Sequence, residues 1–156
     1  MFTMLTFAAV AAVECRAENA HYALRHDPDI SAYFRTVDSG PDWPSGLALA
    51  VHSRKSGQTS WWLPWNGGTD NRQNIASTTP VTDIGWRPPN PDGGPRPYGN
   101  RELLSMDHDY NVLDRVPERG KPAPAHLLVP NAGGGKDTVF TSKQFFDLVN
   151  CSPEDG

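Results

Sequence analysis

The sequence is short of the residues that build large cores and strong fields. Leu, Ile, Val and Phe supply 30 of 156 positions, about 19%, near the level of roughly 20% below which a highly charged chain stays unfolded. High charge is missing too, because 14 Lys and Arg against 18 Asp and Glu leave a formal charge of only −4. That balance excludes a nucleic-acid binder driven by clustered basic residues. No apolar run reaches the roughly 20 residues needed to cross a bilayer, so no integral membrane span is expected. Cysteine is scarce, with Cys15 and Cys151 alone, and no Cys/His spacing resembles a zinc site. Neither GxSxG nor HExxH occurs, and no internal repeat, heptad run or charge block is present. The sequence therefore implies neither cofactor nor metal.

What is abundant is glycine (14) and proline (15), together 29 of 156 residues or about 19%, against a usual share of roughly 12%. Much of the backbone must be turn and loop. Five Trp add apolar area that the aliphatic count misses, which is enough for one folded domain with a modest core.

Met1 to Val13 reads MFTMLTFAAVAAV, a length and composition that suit the apolar region of a secretory signal. Small residues at Cys15 and Ala17 place a cleavage site after Ala17. The expected division is a leader over 1–17 and a single domain over 18–156, periplasmic or secreted. An Ala-rich helix packed on the domain is the alternative, since no Lys or Arg precedes the apolar run. Cleavage at Ala17 would leave Cys151 alone; retention of the leader would permit a Cys15–Cys151 bridge.

Along the domain, Tyr33–Val37 has strand composition, with a short helix begun at Pro28 as the alternative. The clearest local pattern is 47–52 followed by 59–65, two strand-like runs around Ser56-Gly57. A two-residue turn there would set Val51 against Trp62 and Ala50 against Leu63. One face would carry Leu47, Leu49, Val51 and Trp62, and the other Ala48, Ala50, His52, Trp61, Leu63 and Trp65. Pro64 moves the second strand toward a sheet edge or its own end. Residues 73–79, 103–106 and 125–129 are further strand candidates. Residues 85–100 hold five prolines and four glycines and must form a long loop, disordered or pinned by Trp86 and Tyr98. In the tail, Thr141-Ser142-Lys143-Gln144 matches a capping box, and Phe145, Leu148 and Val149 fall on one helical stripe. The expected fold is α+β or mainly β: a small antiparallel sheet with long Pro/Gly-rich loops and one carboxy-terminal helix.

Three constellations carry chemistry on paper. Asp107, Asp109, Asn111 and Glu118 fall at positions 1, 3, 5 and 12 of a calcium-loop register, but Val112 stands where the sharp turn needs glycine. A solvated acidic turn is the better reading. Asn131 to Thr138 resembles a phosphate-binding loop, yet Pro130 replaces its first glycine and Asp137 its magnesium-binding hydroxyl. It reads as a flexible turn. Trp61, Trp62 and Trp65 form the densest aromatic group, and the shared face of Trp61 and Trp65 could offer a platform, with His52 and Asp70 as polar neighbours.

The first functional expectation is thus a non-enzymatic binding module for a glycan, peptide or protein partner. Its expected ligand residues are Trp61, Trp65, His52 and Asp70. One alternative is a small hydrolase using His52 or His108 with a nearby carboxylate. Another is a structural or inhibitory surface protein without a small ligand, whose loops make the contacts.

Overall fold

A computed structural model describes residues 14–132, 140 and 143–153. Nine strands build one antiparallel sheet. They are β1 (Ala20–Leu24), β2 (Asp27–Thr36), β3 (Leu47–Ser53), β4 (Thr59–Gly67), β5 (Arg72–Thr78), β6 (Asn100–Glu102), β7 (Leu104–Met106), β8 (His126–Leu128) and β9 (Phe145–Cys151). Their spatial order is β6-β5-β4-β3-β2-β1-β9-β8-β7. The two ends of that order, β6 and β7, are consecutive in the chain around Leu103, so one short run closes the sheet into a nearly complete barrel. Gln73 of β5 fastens the seam. Its side-chain oxygen accepts hydrogen bonds from the Ser105 amide and hydroxyl, and its backbone carbonyl accepts from Leu103 N at 3.1 Å.

Alternation along each strand sends one set of side chains inward. Tyr22, Phe34, Leu49, Trp62, Ile75, Leu127 and Phe146 meet in the barrel interior, all buried. Tyr22 packs edge-on to Phe34 with ring centroids 5.9 Å apart and donates its hydroxyl to Pro124 O at 2.8 Å. Burial drives the Tyr22 phenol well above its ordinary pKa. Trp62 satisfies its indole N–H on Ser60 Oγ at 2.8 Å.

Strand β3 is buried on both sides because a second apolar layer lies outside the barrel wall. Trp43, Ala48, Ala50, Trp61, Leu63 and Ala76 form it, with Trp65 and Trp86 packed against them. The Pro/Gly-rich segment 85–100 is anchored onto this outer layer by its first part and, through Tyr98, onto the inner-face residues Ser77 and Trp62 at its end. Trp86 Nε1 donates to Thr78 Oγ1 at 3.1 Å, Tyr98 N to Ser77 Oγ at 2.8 Å, and Trp43 Nε1 to Pro89 O at 2.9 Å.

The hairpin between β3 and β4 differs from the expected register. Leu49 faces Trp62 and Ala50 faces Trp61, because residues 54–57 form a four-residue loop closed by Gly57 N to Ser53 O at 2.8 Å. Gly57 takes the left-handed conformation (φ 70°) at the last loop position. The offset is two residues, an even number, so every side chain keeps its expected face.

The expected fold, an α+β or mainly β domain with a small sheet and a carboxy-terminal helix, is corrected: the sheet has nine strands and is nearly closed, and residues 145–151 form β9, paired with β1 on one side and β8 on the other. Among the described residues, helical structure is limited to the 3₁₀ turns Ala17–Asn19 and Thr69–Asn71. The physical reason lies in a competing pattern. Phe146 and Leu148 alternate as strand residues, and both neighbouring strands need a partner for their backbone groups. Thr141 and Ser142, the start of the supposed capping box, lie outside the described residues.

The folded unit includes Cys15 to Ala17. Cys15 is disulfide-bonded to Cys151 with Cα atoms 5.7 Å apart, Arg16 bridges Pro122, and Ala17 is buried. Glu18 accepts the Gly120 N–H at 2.9 Å. Met1 to Val13 lie outside the described residues, as do 133–139 of the glycine-rich turn. Among the described residues no helix is long and apolar enough to cross a membrane.

Candidate ligand-binding cleft

Strand β4 runs from the hairpin tip to Gly67, and its far end carries Trp65 beyond the part of the strand paired to β3. Pro64, which has no N–H to donate, marks the place where that ladder has already stopped. There Trp65 meets the loop between β2 and β3, the 91–96 turn and residues 115–118 in a cleft of about 650 Å³. Trp65 is half-buried, and its indole N–H is shielded without a partner among the described residues. Gly67 permits the ring to lie down. A Cβ at that position would come within 2.5 Å of Trp65 Cζ3.

The opposite wall is fixed by Trp43, whose ring carries the Arg96 guanidinium at 5.3 Å from its centroid. Arg96 also donates to Asn90 O at 3.1 Å, holding the Asn90–Gly94 turn. Gly94 is required in that turn, since a Cβ there would lie 2.6 Å from Asn90 N. On the rim, Asp42, Asn71, Asp92 and Asn100 are exposed cleft residues. Their side chains have no hydrogen-bond partner among the described residues. Asn66 is different: its amide accepts from Val116 N at 2.9 Å and donates to Asp114 O at 3.2 Å, so it braces the 114–116 segment.

The four residues singled out from sequence separate. Trp65 lines the cleft. Trp61 is 5% exposed and packs edge-on to Tyr33, with centroids 6.1 Å apart, as part of the outer layer. His52 sits near the hairpin tip, at the other end of β4, with Nδ1 2.8 Å from Thr59 Oγ1. Asp70 is exposed in the turn just before Asn71, in the left-handed conformation (φ 67°). Trp43, Asp42, Asp92 and Asn100 were missed, because the β2–β3 loop, the β5–β6 loop and the start of β6 bring them together and no local spacing signals it.

A second polar group surrounds His126. Its Nδ1 lies 2.7 Å from Asp147 Oδ1, and Tyr110 stacks on the imidazole at 4.2 Å. Asp147 also accepts two hydrogen bonds from Arg25, each of 2.9 Å. Chiefly through the Arg25 hydrogen bonds, the Asp147 carboxyl is held below its ordinary pKa. This is the closest His–carboxylate pair among the described residues; His108 and Asp109 are 3.5 Å apart and both exposed. The partners of His126 are Asp147, Tyr110 and Phe145, and it does not line the cleft. These contacts tie β8 and β9 to the β7–β8 connection.

Asp107 accepts the N–H groups of Asp109 and Asn111, both at 2.9 Å, and the Asn111 side-chain amide at 3.0 Å. These bonds, the Asn111 side-chain one first, lower its pKa. Its oxygens are thus engaged in ordering their own turn, and among the described residues no cluster of three or more metal-ligating side chains occurs.

No family model, curated protein or solved structure matches the chain.

Proposed function

We propose that the protein is an exported, non-enzymatic binding module that holds a glycan in the cleft around Trp65. One observation carries this reading. A half-buried indole shares a cleft of about 650 Å³ with four exposed polar side chains, Asp42, Asn71, Asp92 and Asn100, that lack partners among the described residues. A pyranose ring has an apolar C–H face suited to an indole and hydroxyls at its edge that need donors and acceptors. Amides and carboxylates supply both. The Cys15–Cys151 bridge supports a periplasmic or secreted setting, where disulfides persist.

The test is a titration of neutral β-glucan, xylan and chitin hexasaccharides, followed by Trp fluorescence and calorimetry. One class should bind, and Trp65→Ala should weaken it by about 2 kcal/mol, roughly thirtyfold, with the near-ultraviolet dichroism of the barrel retained. Unchanged affinity in Trp65→Ala, or silence toward every sugar, rejects the glycan reading. In the second case a peptide or protein partner becomes the better account.

A further inference from the structure

A second groove opens on the same outer layer, over the β2 end and the 86–88 segment, with a volume of about 480 Å³. Arg35, Arg87 and Trp86 line it, together with Val37 and Val81. Among the described residues, neither guanidinium has an ion-pair or hydrogen-bond partner, although the chain as a whole carries a net charge of −4. The one carboxylate on the groove, Asp38, forms no ion pair with either. Trp86 is held by its N–H bond to Thr78, so its ring is a fixed wall. Two unengaged planar cations beside a rigid indole match a ligand group that carries a carboxylate on an apolar ring.

This groove and the Trp65 cleft flank one contact. The chain passes from Asp38 and Gly40 in the groove to Asp42 and Trp43 in the cleft, and again from Trp86 and Arg87 to Pro91 and Asp92. Between them, the Trp43–Pro89 hydrogen bond of 2.9 Å pins the two segments together. We infer that the groove is an additional subsite for the carboxylate of an acidic sugar, so that the ligand class is a uronic-acid-containing glycan. The inference rests on the glycan reading of the Trp65 cleft. Arg35 and Arg87 engage the carboxylate, Trp86 packs against the ring that bears it, and a neighbouring sugar lies on Trp65.

The probe is a galacturonic acid oligomer set beside its methyl ester, which keeps the sugar shape and removes the charge. Wild-type protein should bind the free acid at least about tenfold more tightly, the equivalent of one charge-assisted hydrogen bond, with the preference falling as salt rises. Arg35→Gln/Arg87→Gln should abolish the preference for acid over ester. Because Arg35 is half-buried, Arg87→Gln alone provides a second variant at an exposed position, expected to lose part of the preference. Equal affinity for acid and ester, or a preference that survives in the double variant, overturns the subsite. If neutral hexasaccharides still bind through Trp65 in that case, only the acidic subsite fails. If no sugar binds at all, both proposals fail together.

Discussion

The bond between Cys15 and Cys151 spans 136 residues of sequence, nearly the whole folded unit, and this makes its removal the most quantitative test of the architecture. A crosslink acts chiefly on the unfolded chain, whose ends it keeps together. With a loop of that length the chain-entropy relation gives about 5 kcal/mol at 25 °C, the upper end of the roughly 2–5 kcal/mol lost when native disulfides are removed from small secreted domains. Unfolding entropy near 2.1 cal/mol/K per residue makes each kcal/mol worth about 3 °C in a chain of this size. The melting point should therefore fall by roughly 6–15 °C. The barrel should nonetheless persist at room temperature, because β1 and β9 remain laddered from Ala20 to Leu24 and the interior is untouched. The assay is urea unfolding of the wild type with and without dithiothreitol, beside Cys15→Ser/Cys151→Ser, read by Trp fluorescence. Reduced wild type and double variant should share one lowered midpoint. An unfolding free energy within about 0.5 kcal/mol of the oxidised protein would refute the reasoning, since it would mean the unfolded ends are not set free.

Gly67→Ala places a methyl carbon about 2.5 Å from Trp65 Cζ3, so the ring must tilt; we expect a shifted Trp emission, weaker sugar binding and a stability loss of about 1–3 kcal/mol. Unchanged emission would show that the ring is not where its packing on Gly67 puts it. The Asp147 carboxyl has a lowered pKa, caused first by its Arg25 hydrogen bonds, so its stabilisation is complete above the unfolded value of about 3.9 and is lost as pH falls through the folded value. Asp147→Asn should flatten the decline in urea midpoint below about pH 4, and an identical slope in both proteins would count against the ion pair. Gln73→Ala removes the acceptor for Ser105 at the barrel seam and should cost about 1–3 kcal/mol for buried groups left unpaired, measured as the change in unfolding free energy.

Strand composition and local alternation marked β3, β4, β5, β7, β8 and part of β2 but not β1, β6 or β9, and side-chain faces in the hairpin survived a register error because the error was even. Ser56-Gly57 suggested a two-residue turn, but Gly57 closes a four-residue one, and sequence alone does not separate the two. At 145–151 the same apolar residues satisfy a helical stripe through Phe145, Leu148 and Val149 and a strand pattern through Phe146 and Leu148. Only the presence of β1 and β8 on either side decides between them, and that is non-local information. The site was legible in one residue. Trp65 stood out by composition, whereas the burial of Trp61 depends on where the 85–100 segment lands, and the wall built by Trp43 depends on contacts with Pro89 and Arg96 that span more than 40 positions.

The run from Asn100 to Met106 hydrogen-bonds β5 through one half and β8 through the other. A single heptapeptide thereby covers both terminal strands that an open sheet would present to neighbouring molecules. Its integrity guards against self-association as well as shaping the interior: a backbone-disrupting substitution at Leu103, such as proline, would uncover two sticky borders at once, and the protein should then polymerise with increasing concentration.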